Sequence, residues 1–300
     1  MDDEPLTLVD TGPNSGTSLD RLAREFDALG RRIADLGLII VSHQHMYHLG
    51  LVDVIVQRSG AGVAALDALA PLAADWEAGM TAEDAYADAV MTRYGIPPDV
   101  RRALRAMTAS FRGWGASMTV TQPLHDGSSL TLRDRRLTAH HRPGHSPSDI
   151  VLHDAASGAL LTGDHLLPDI ASSPPVSRPL AGVADVAHRP SALLTYMVSL
   201  PKTGVLDLAV LLPGHGAPFS DHRALIDDRL AMWRRRAGRV RDLLSQGPRT
   251  AYDLAQATWS NVPVTRAYLA LSSILGQTDL LIADGLVRES SATTAWRRSR

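Results

Sequence analysis

The 300-residue chain contains no cysteine. Disulfides and thiolate metal sites are thereby excluded, and any metal must rest on His, Asp or Glu. Lysine is nearly missing too: Lys202 is the only one, a bias that codon composition explains more simply than function. Neither sign of charge is in excess. The net charge of −2 gives no reason to expect a general affinity for nucleic acid or anionic membranes. No apolar run approaches the roughly 20 residues of a membrane span. The acidic opening MDDEPLTL lacks the basic-then-apolar pattern of a secretory signal. These absences leave a cytoplasmic protein with no membrane association as the expectation.

What is present is ordinary in bulk. A hydrophobic content of 45% and a charged content of 21% are those of a globular protein. The length suits one large α/β domain with an appendage, or two domains, and leaves ample core for folding without a metal.

The stretch from Leu36 to Gly50 organises the chain. Leu36 to Val41 is an apolar run of the length and composition of a buried strand. Ser42 ends it, and His43, His45 and His48 follow within six positions. One histidine alone is more often a partly exposed loop residue. Three just past a buried strand place imidazoles where they can converge on two neighbouring points, as a metal pair requires.

Around that stretch, PLTLVD (5–10) reads as a strand running into Asp10-Thr11-Gly12. A helix follows from an N-cap at Ser18 to Leu29, with Gly30 as its stop, and residues 51 to 58 open another. Residues 62 to 117 read as a helical insertion without a clear strand, with Thr81-Ala82-Glu83-Asp84 resembling a capping box. Val100, Leu104, Met107 and Phe111 share one helical face. From 118 the pattern turns to β: MTVTQPL, SSLTLRD after a turn at Asp126-Gly127, RRLTAHH, then DIVLHD and ALLTGDHLL as a hairpin. A Pro- and Ser-rich loop is expected over 171 to 190, then a helix (191–200) and a last buried strand, VLDLAVLLPGHG. Beyond Asp221 the chain reads as helical: a long helix to Ser245, a second capped by Thr250 and a third from about Thr265. LVRES is a terminal strand, and the closing SATTAWRRSR is expected to fray.

Later strand ends give the histidine loop its meaning. His140 to His145 (HHRPGH), Gly163-Asp164-His165 and Pro213-Gly214-His215-Gly216 each place a candidate ligand where a strand stops, and ligands of α/β sheets gather at strand ends. Imidazoles with a carboxylate suit zinc, with iron or manganese as alternatives.

This order of motifs closely resembles the metallo-β-lactamase superfamily: DTG at 10 to 12, HxHxxH at 43 to 48, PGH at 143 to 145, GDH at 163 to 165 and PGH at 213 to 215. The resemblance covers roughly residues 5 to 220. It implies a four-layer αββα sandwich with a metal site along one edge, divided as a catalytic domain (1–220) and a winged-helix-like domain (221–300). It further implies that His43, His45 and His145 hold a first metal, that His48 and His215 serve a second, and that Asp164 bridges. Asp10 then orients the metal loops by hydrogen bonds. The tail is similar to that of β-lactamase-like endoribonucleases and related bacterial hydrolases.

This chain departs from the pattern twice. The usual HxHxDH loop has an aspartate where Tyr47 stands here. A phenol with an ordinary pKa of about 10 is a poor ligand, so the first metal is expected to bind firmly and the second weakly. Members also carry one or two strands ahead of DTG, whereas this chain opens almost on it. An exposed sheet edge, or a start further upstream, is the expectation.

The chemistry implied is that of a metal-dependent hydrolase in which metal-bound hydroxide attacks a small ester, thioester or lactone, with Asp164 and Tyr47 as the catalytic residues. Tyr47 could donate to a developing oxyanion, although reduced activity is the expected outcome of its presence. The partner is a small-molecule substrate. A metal-poor scaffold protein and an RNA-processing phosphodiesterase are the alternatives, the latter through the arginine run at 234 to 241. A solvated helix face explains that run more cheaply. His141 is read as structural, His165 as lining or supporting the site, and His125, His153, His188 and His222 as surface residues.

Overall fold

The computed structural model describes residues 1–260, 262–290 and 294–299. The chain opens with β1 (Thr7–Val9), α1 (Gly16–Ala28), β2 (Leu38–Ile40), a single turn α2 (Met46–Leu49), α3 (Val52–Ser59), β3 (Gly62–Leu66) and α4 (Ala70–Ala74). Next come α5 (Trp76–Arg93), α6 (Pro98–Phe111), β4 (Gln122–Leu124), β5 (Ser129–Thr131), β6 (Arg136–His141), β7 (Ile150–Asp154) and β8 (Ala159–Gly163). The remainder is α7 (Ala192–Gly204), β9 (Val210–Pro213), α8 (His222–Leu243), β10 (Arg249–Thr250), α9 (Ala251–Thr258), α10 (Ala267–Ala283), β11 (Val287–Glu289) and β12 (Ala295–Arg298).

These elements form two units. The first comprises Met1–Thr81, Ser110–Ser172 and Leu206–Ser220. It holds a four-stranded parallel sheet, β1-β2-β3-β4, and a five-stranded sheet, β5-β6-β7-β8-β9, antiparallel except where β9 lies parallel to β8. With the flanking helices these are the two sheets of an αββα fold. Leu38, Ile39 and Ile40 are all buried, as a run of branched apolar residues in a parallel sheet must be.

At the sheet edge, β1 does not stand bare. The Met1 ammonium donates to the Thr7 carbonyl (2.6 Å) and the Thr7 N–H donates to the Met1 carbonyl (3.1 Å), so the chain folds back over part of the edge that was expected to be exposed.

Three local expectations are overturned. Gly62–Leu66 is a strand between β2 and β4 rather than the start of a helical segment. Its GVAAL is too short to show periodicity, and parallel pairing on both sides makes it a strand. Thr81 caps nothing: α5 runs through it, and its hydroxyl donates to the Glu77 carbonyl one turn back. The cap of α1 is Ser15, whose Oγ accepts from the Ser18 N–H at 3.1 Å, three residues ahead of the expected position.

The second unit gathers Ala82–Ala109, Ser173–Val205 and Asp221–Arg300. Tyr86, Val90, Leu104, Leu244, Leu254, Leu271, Ile274 and Trp296 belong to its core. Thr250 caps α9 as expected, with Asp253 completing a capping box. The stretch 171–190 forms neither helix nor strand, yet it is pinned. Arg178 N–H donates to the Glu83 carboxylate, Val176 N–H to Ser272 Oγ, and Tyr268 Oη to the Val176 carbonyl.

The chain end corrects the expectation of fraying. Ala295–Arg298 pairs with β11 and β10 in a three-stranded antiparallel sheet, and Trp296 is buried and stacked on Tyr94. Residues 291–293 and 300 of that stretch lie outside the described residues. His222 is buried rather than at the surface. Among the described residues no helix is long and apolar enough to cross a membrane.

Candidate metal centre

The site lies within the first unit, at the ends of strands. Parallel pairing of β8 with β9 sets Gly163 beside Pro213, and the Gly214 N–H donates to the Gly163 carbonyl at 2.7 Å. Asp164 and His215 are thereby neighbours. The β6–β7 hairpin carries His145 in its loop, and its return strand is tied to the end of β2 by Ile150 N–H donating to the Ser42 carbonyl at 2.9 Å.

Asp10, in a left-handed conformation with φ of 59°, a region that Asp enters more readily than most residues, anchors the histidine loop. Its Oδ1 accepts from Ser42 N–H at 2.8 Å, and its Oδ2 accepts from Ser42 Oγ at 2.7 Å and from His48 Nδ1 at 2.8 Å. The Ser42 hydroxyl proton is committed to Asp10, so His43 Nδ1, 2.9 Å from Ser42 Oγ, must be the donor in that contact. The tautomers follow: His43 and His48 each keep a lone pair on Nε2 when neutral. Thr11 secures the same turn, its hydroxyl donating to the His48 carbonyl and accepting from Leu51 N–H. The DTG motif is therefore a clamp on the loop, the orienting role expected of Asp10.

Two donor groups result. His45 Nδ1 lies 3.0 Å from both His43 Nε2 and His145 Nε2. Beside this trio, Asp164 Oδ2 is 3.5 Å from His48 Nε2 and 3.6 Å from both His145 Nε2 and His215 Nε2. His43, His45 and His145 form one metal-competent group, and His43, His48 and Asp164 another. All six residues singled out in the sequence are thus gathered, with Asp164 Oδ2 within 3.6 Å of His48, His145 and His215. His215 is the outermost, its side chain 49% exposed.

The electrostatics suit a cation. Burial, reinforced by the neighbouring imidazoles, pushes His43 and His45 well below the ordinary histidine range, so both present lone pairs at neutral pH. His48 differs: burial works against its charge, but Asp10 and Asp164 overcome it and push the group up to about 10, so an incoming ion would have to displace a proton from its Nε2. Burial raises Asp164, and the imidazoles of His48, His145 and His215 outweigh it and hold the carboxyl below its usual range. Its Oδ1 is buried and accepts no hydrogen bond from the described residues, a costly state for a carboxylate oxygen unless a cation meets it. A Cβ on Gly214 would sit 2.6 Å from that Oδ1 and 3.0 Å from His48 Cε1, so the glycine leaves room that a side chain would close. Three ring nitrogens gathered with 3.0 Å spacings about His45 Nδ1, an unmatched carboxylate oxygen and an all-N/O donor set fit a zinc-like ion.

Tyr47 stands apart from this geometry. It is 46% exposed, its ring meets the edge of Trp114 at 5.8 Å, and its hydroxyl makes no hydrogen bond with the described residues. His165 is fully buried, and burial with the nearby Arg142 charge pushes it down to about 3. His141 supports the hairpin loop, its Nε2 lying 2.9 Å from the Pro147 carbonyl. Besides the part played by Ser42, the sequence reading overlooked Ser148, which accepts from the Gln44 N–H across the candidate ligand loops, and Ser146 and Asp149, which brace the His145 loop. Their signal was the polar run SPSD after PGH, short enough to pass for an ordinary turn.

A family profile described as the metallo-beta-lactamase superfamily matches residues 2–240. The chain is 28% identical over 293 residues to a probable metallo-hydrolase, YqjP, of Bacillus subtilis, covering 98% of this chain and 88% of that protein. Over 64 residues, 20% of this chain and 23% of the other, it is 39% identical to the acyl-coenzyme A thioesterase MBLAC2 of Bos taurus. Among solved structures, a metallo-beta-lactamase family protein of Thermus thermophilus superposes with a TM-score of 0.79, covering 97% of this chain and 89% of that one. A beta-lactamase domain protein of Burkholderia ambifaria gives 0.78, covering 98% and 83%. Both are 22% identical, so these two likenesses speak for the fold. The profile, matching most of the chain, reaches the strand ends that carry the candidate ligands, and the chain belongs to the metallo-beta-lactamase superfamily.

Proposed function

We propose that the protein is a metal-dependent hydrolase of a small ester, thioester or lactone. The observation that carries this reading is the convergence of five imidazoles and one carboxylate, with Asp164 Oδ2 within 3.6 Å of three ring nitrogens. His43, His45 and His145 would hold a first ion, zinc by preference and iron or manganese as alternatives. His48, His215 and Asp164 would offer a weaker second site, because Tyr47 supplies no carboxylate. When bound, such a cation acts as a Lewis acid and lowers the pKa of a coordinated water from 15.7 to about 7.

The chain's own residues do the rest. Asp10, through Ser42 and His48, sets the tautomers that turn Nε2 inward. Asp164, held ionised by the surrounding imidazoles, balances charge and can orient a water by its unmatched oxygen. Tyr47, on the exposed side of α2, is a candidate donor to an oxyanion. The partial match to an acyl-coenzyme A thioesterase supports the thioester among the three substrate classes. We read α8, α9 and α10 with the β10-β12-β11 sheet as a winged-helix-like module.

The second reading, a nucleic-acid phosphodiesterase, draws on how charge is distributed. The second unit carries 20 Arg and Lys against 13 Asp and Glu, a net of +7, and the first carries 10 against 19, a net of −9. Purified protein analysed for metal and then offered thioester, lactone and phosphodiester probes separates the readings. The expected result is about one ion per chain and chelator-sensitive turnover of a thioester or lactone. Metal-free protein from metal-replete growth, or turnover of the phosphodiester alone with salt-sensitive RNA binding, would overturn it.

A further inference from the structure

The trio His43, His45 and His145 is assembled from two loops about a hundred residues apart in sequence, and something must hold those loops in register. One tie is made by backbone, Ile150 N–H to the Ser42 carbonyl. The other is made by a side chain. Gln44, which sits between His43 and His45, donates its N–H to Ser148 Oγ at 2.9 Å across 104 residues. Ser148 is itself held within the His145 loop. Its N–H donates to Ser146 Oγ at 3.1 Å, and the two hydroxyls share a hydrogen bond at 3.1 Å. Asp149 Oδ2 then accepts from Ser146 N–H at 2.8 Å, and Arg142 N–H donates to the Asp149 carbonyl across the loop's base.

Gln44, Ser146, Ser148 and Asp149 are all buried, Ser148 completely. Water cannot replace a lost partner there, so the geometry is set by protein groups alone. From this arrangement we infer that Ser148 is a positioning residue for the metal centre, its hydroxyl fixing the peptide between His43 and His45 against the loop of His145. Removing it frees the Gln44 peptide to rotate, and both flanking imidazoles move with that peptide. The inference rests on the trio being a metal site. It adds that the trio is preset by the latch before any ion arrives.

Ser148→Ala and Ser148→Thr, made in the full chain, test it by zinc affinity measured in competition with a chromophoric chelator. Loss of an outer hydrogen-bonding partner typically weakens metal sites roughly 10- to 100-fold. The expected result is at least tenfold weaker binding for the alanine variant and near wild-type affinity for threonine, which keeps the hydroxyl. Unchanged affinity in Ser148→Ala overturns the inference, as does equal weakening in both variants, which would indicate packing. Should the alanine variant fail to fold, amide hydrogen exchange of the wild-type protein decides. A Gln44 N–H protected in the metal-free state supports the latch, and one exchanging as freely as an exposed loop overturns it. A wild-type chain that takes up no zinc is a separate failure, of the metal reading itself.

Discussion

Tyr47 occupies a half-exposed position on α2, packed on Trp114 rather than turned among the six gathered ligands. A carboxylate at that position would add the negative charge that the His48, His215 and Asp164 half lacks. Tyr47→Asp is expected to raise bound metal from about one to about two ions per chain and to increase hydrolysis, as elemental analysis and turnover would register. Unchanged stoichiometry would clear Tyr47 of the impairment assigned to it. Gly214 gives the complementary experiment, in which crowding replaces charge. Its φ lies outside the left-handed region, so Gly214→Ala tests steric pressure on Asp164 and His48 without backbone strain. A methyl 2.6 Å from Oδ1 must displace the carboxylate, and metal affinity is expected to fall at least tenfold with little change in the far-ultraviolet circular dichroism spectrum. At this scale the sequence was most informative. The candidate ligands stand in motifs whose resemblance to a family could be recognised in the sequence, whereas Ser148 could not be singled out, because its meaning lies in a contact 104 residues away.

Among the elements, strands and helices that carry their own signals were legible and those created by tertiary pairing were not. The α9 capping box is local chemistry, Thr250 with Asp253, and it is found as read. The box at Thr81 has the same local pattern, but Trp76 to Arg93 form one uninterrupted helix around it. Burial of Trp296 and pairing with β11 turn the closing residues into β12, and nothing in SATTAWRRSR announces either.

The link between α5 and the loop over 171–190 yields a pH prediction. Burial pushes Glu83 up to about 7 from an ordinary 4.5, with the Arg178 N–H as donor to both of its oxygens. The folded state therefore holds its proton to higher pH than the unfolded chain does. The group costs nothing below about pH 4.5, and stability is lost as pH rises from there through about 7. Glu83→Gln is expected to flatten that decline in denaturant midpoints measured at pH 5, 6, 7 and 8. An unaltered slope would show that Glu83 is ionised in the folded protein.

Taken whole, the molecule is two bodies built from interleaved segments. The junction at Ser220 and Asp221 coincides with the boundary that the family resemblance implied, yet the second body also draws on residues 82–109 and 173–205. A fragment ending at residue 220 would keep every expected metal ligand. It would also leave Tyr86, Val90, Met91 and Leu104 without the α9, α10 and β12 residues that complete their core. Such a fragment is expected to bind a hydrophobic dye strongly and to aggregate at concentrations where the full chain does not. A monomeric, dye-silent fragment would show that the first body tolerates those residues uncovered.

The same interleaving governs how the protein can be born. A ribosome delivers the chain from one end, and β9, with His215 just beyond it, emerges only after more than two hundred residues. Trp296, in the second body's core, follows about eighty residues after His215. Neither body can close before its own last segment has emerged, so apolar surface must be held in waiting during synthesis, and nascent-chain holdases should matter more to its yield than to that of a protein whose domains arrive one after another.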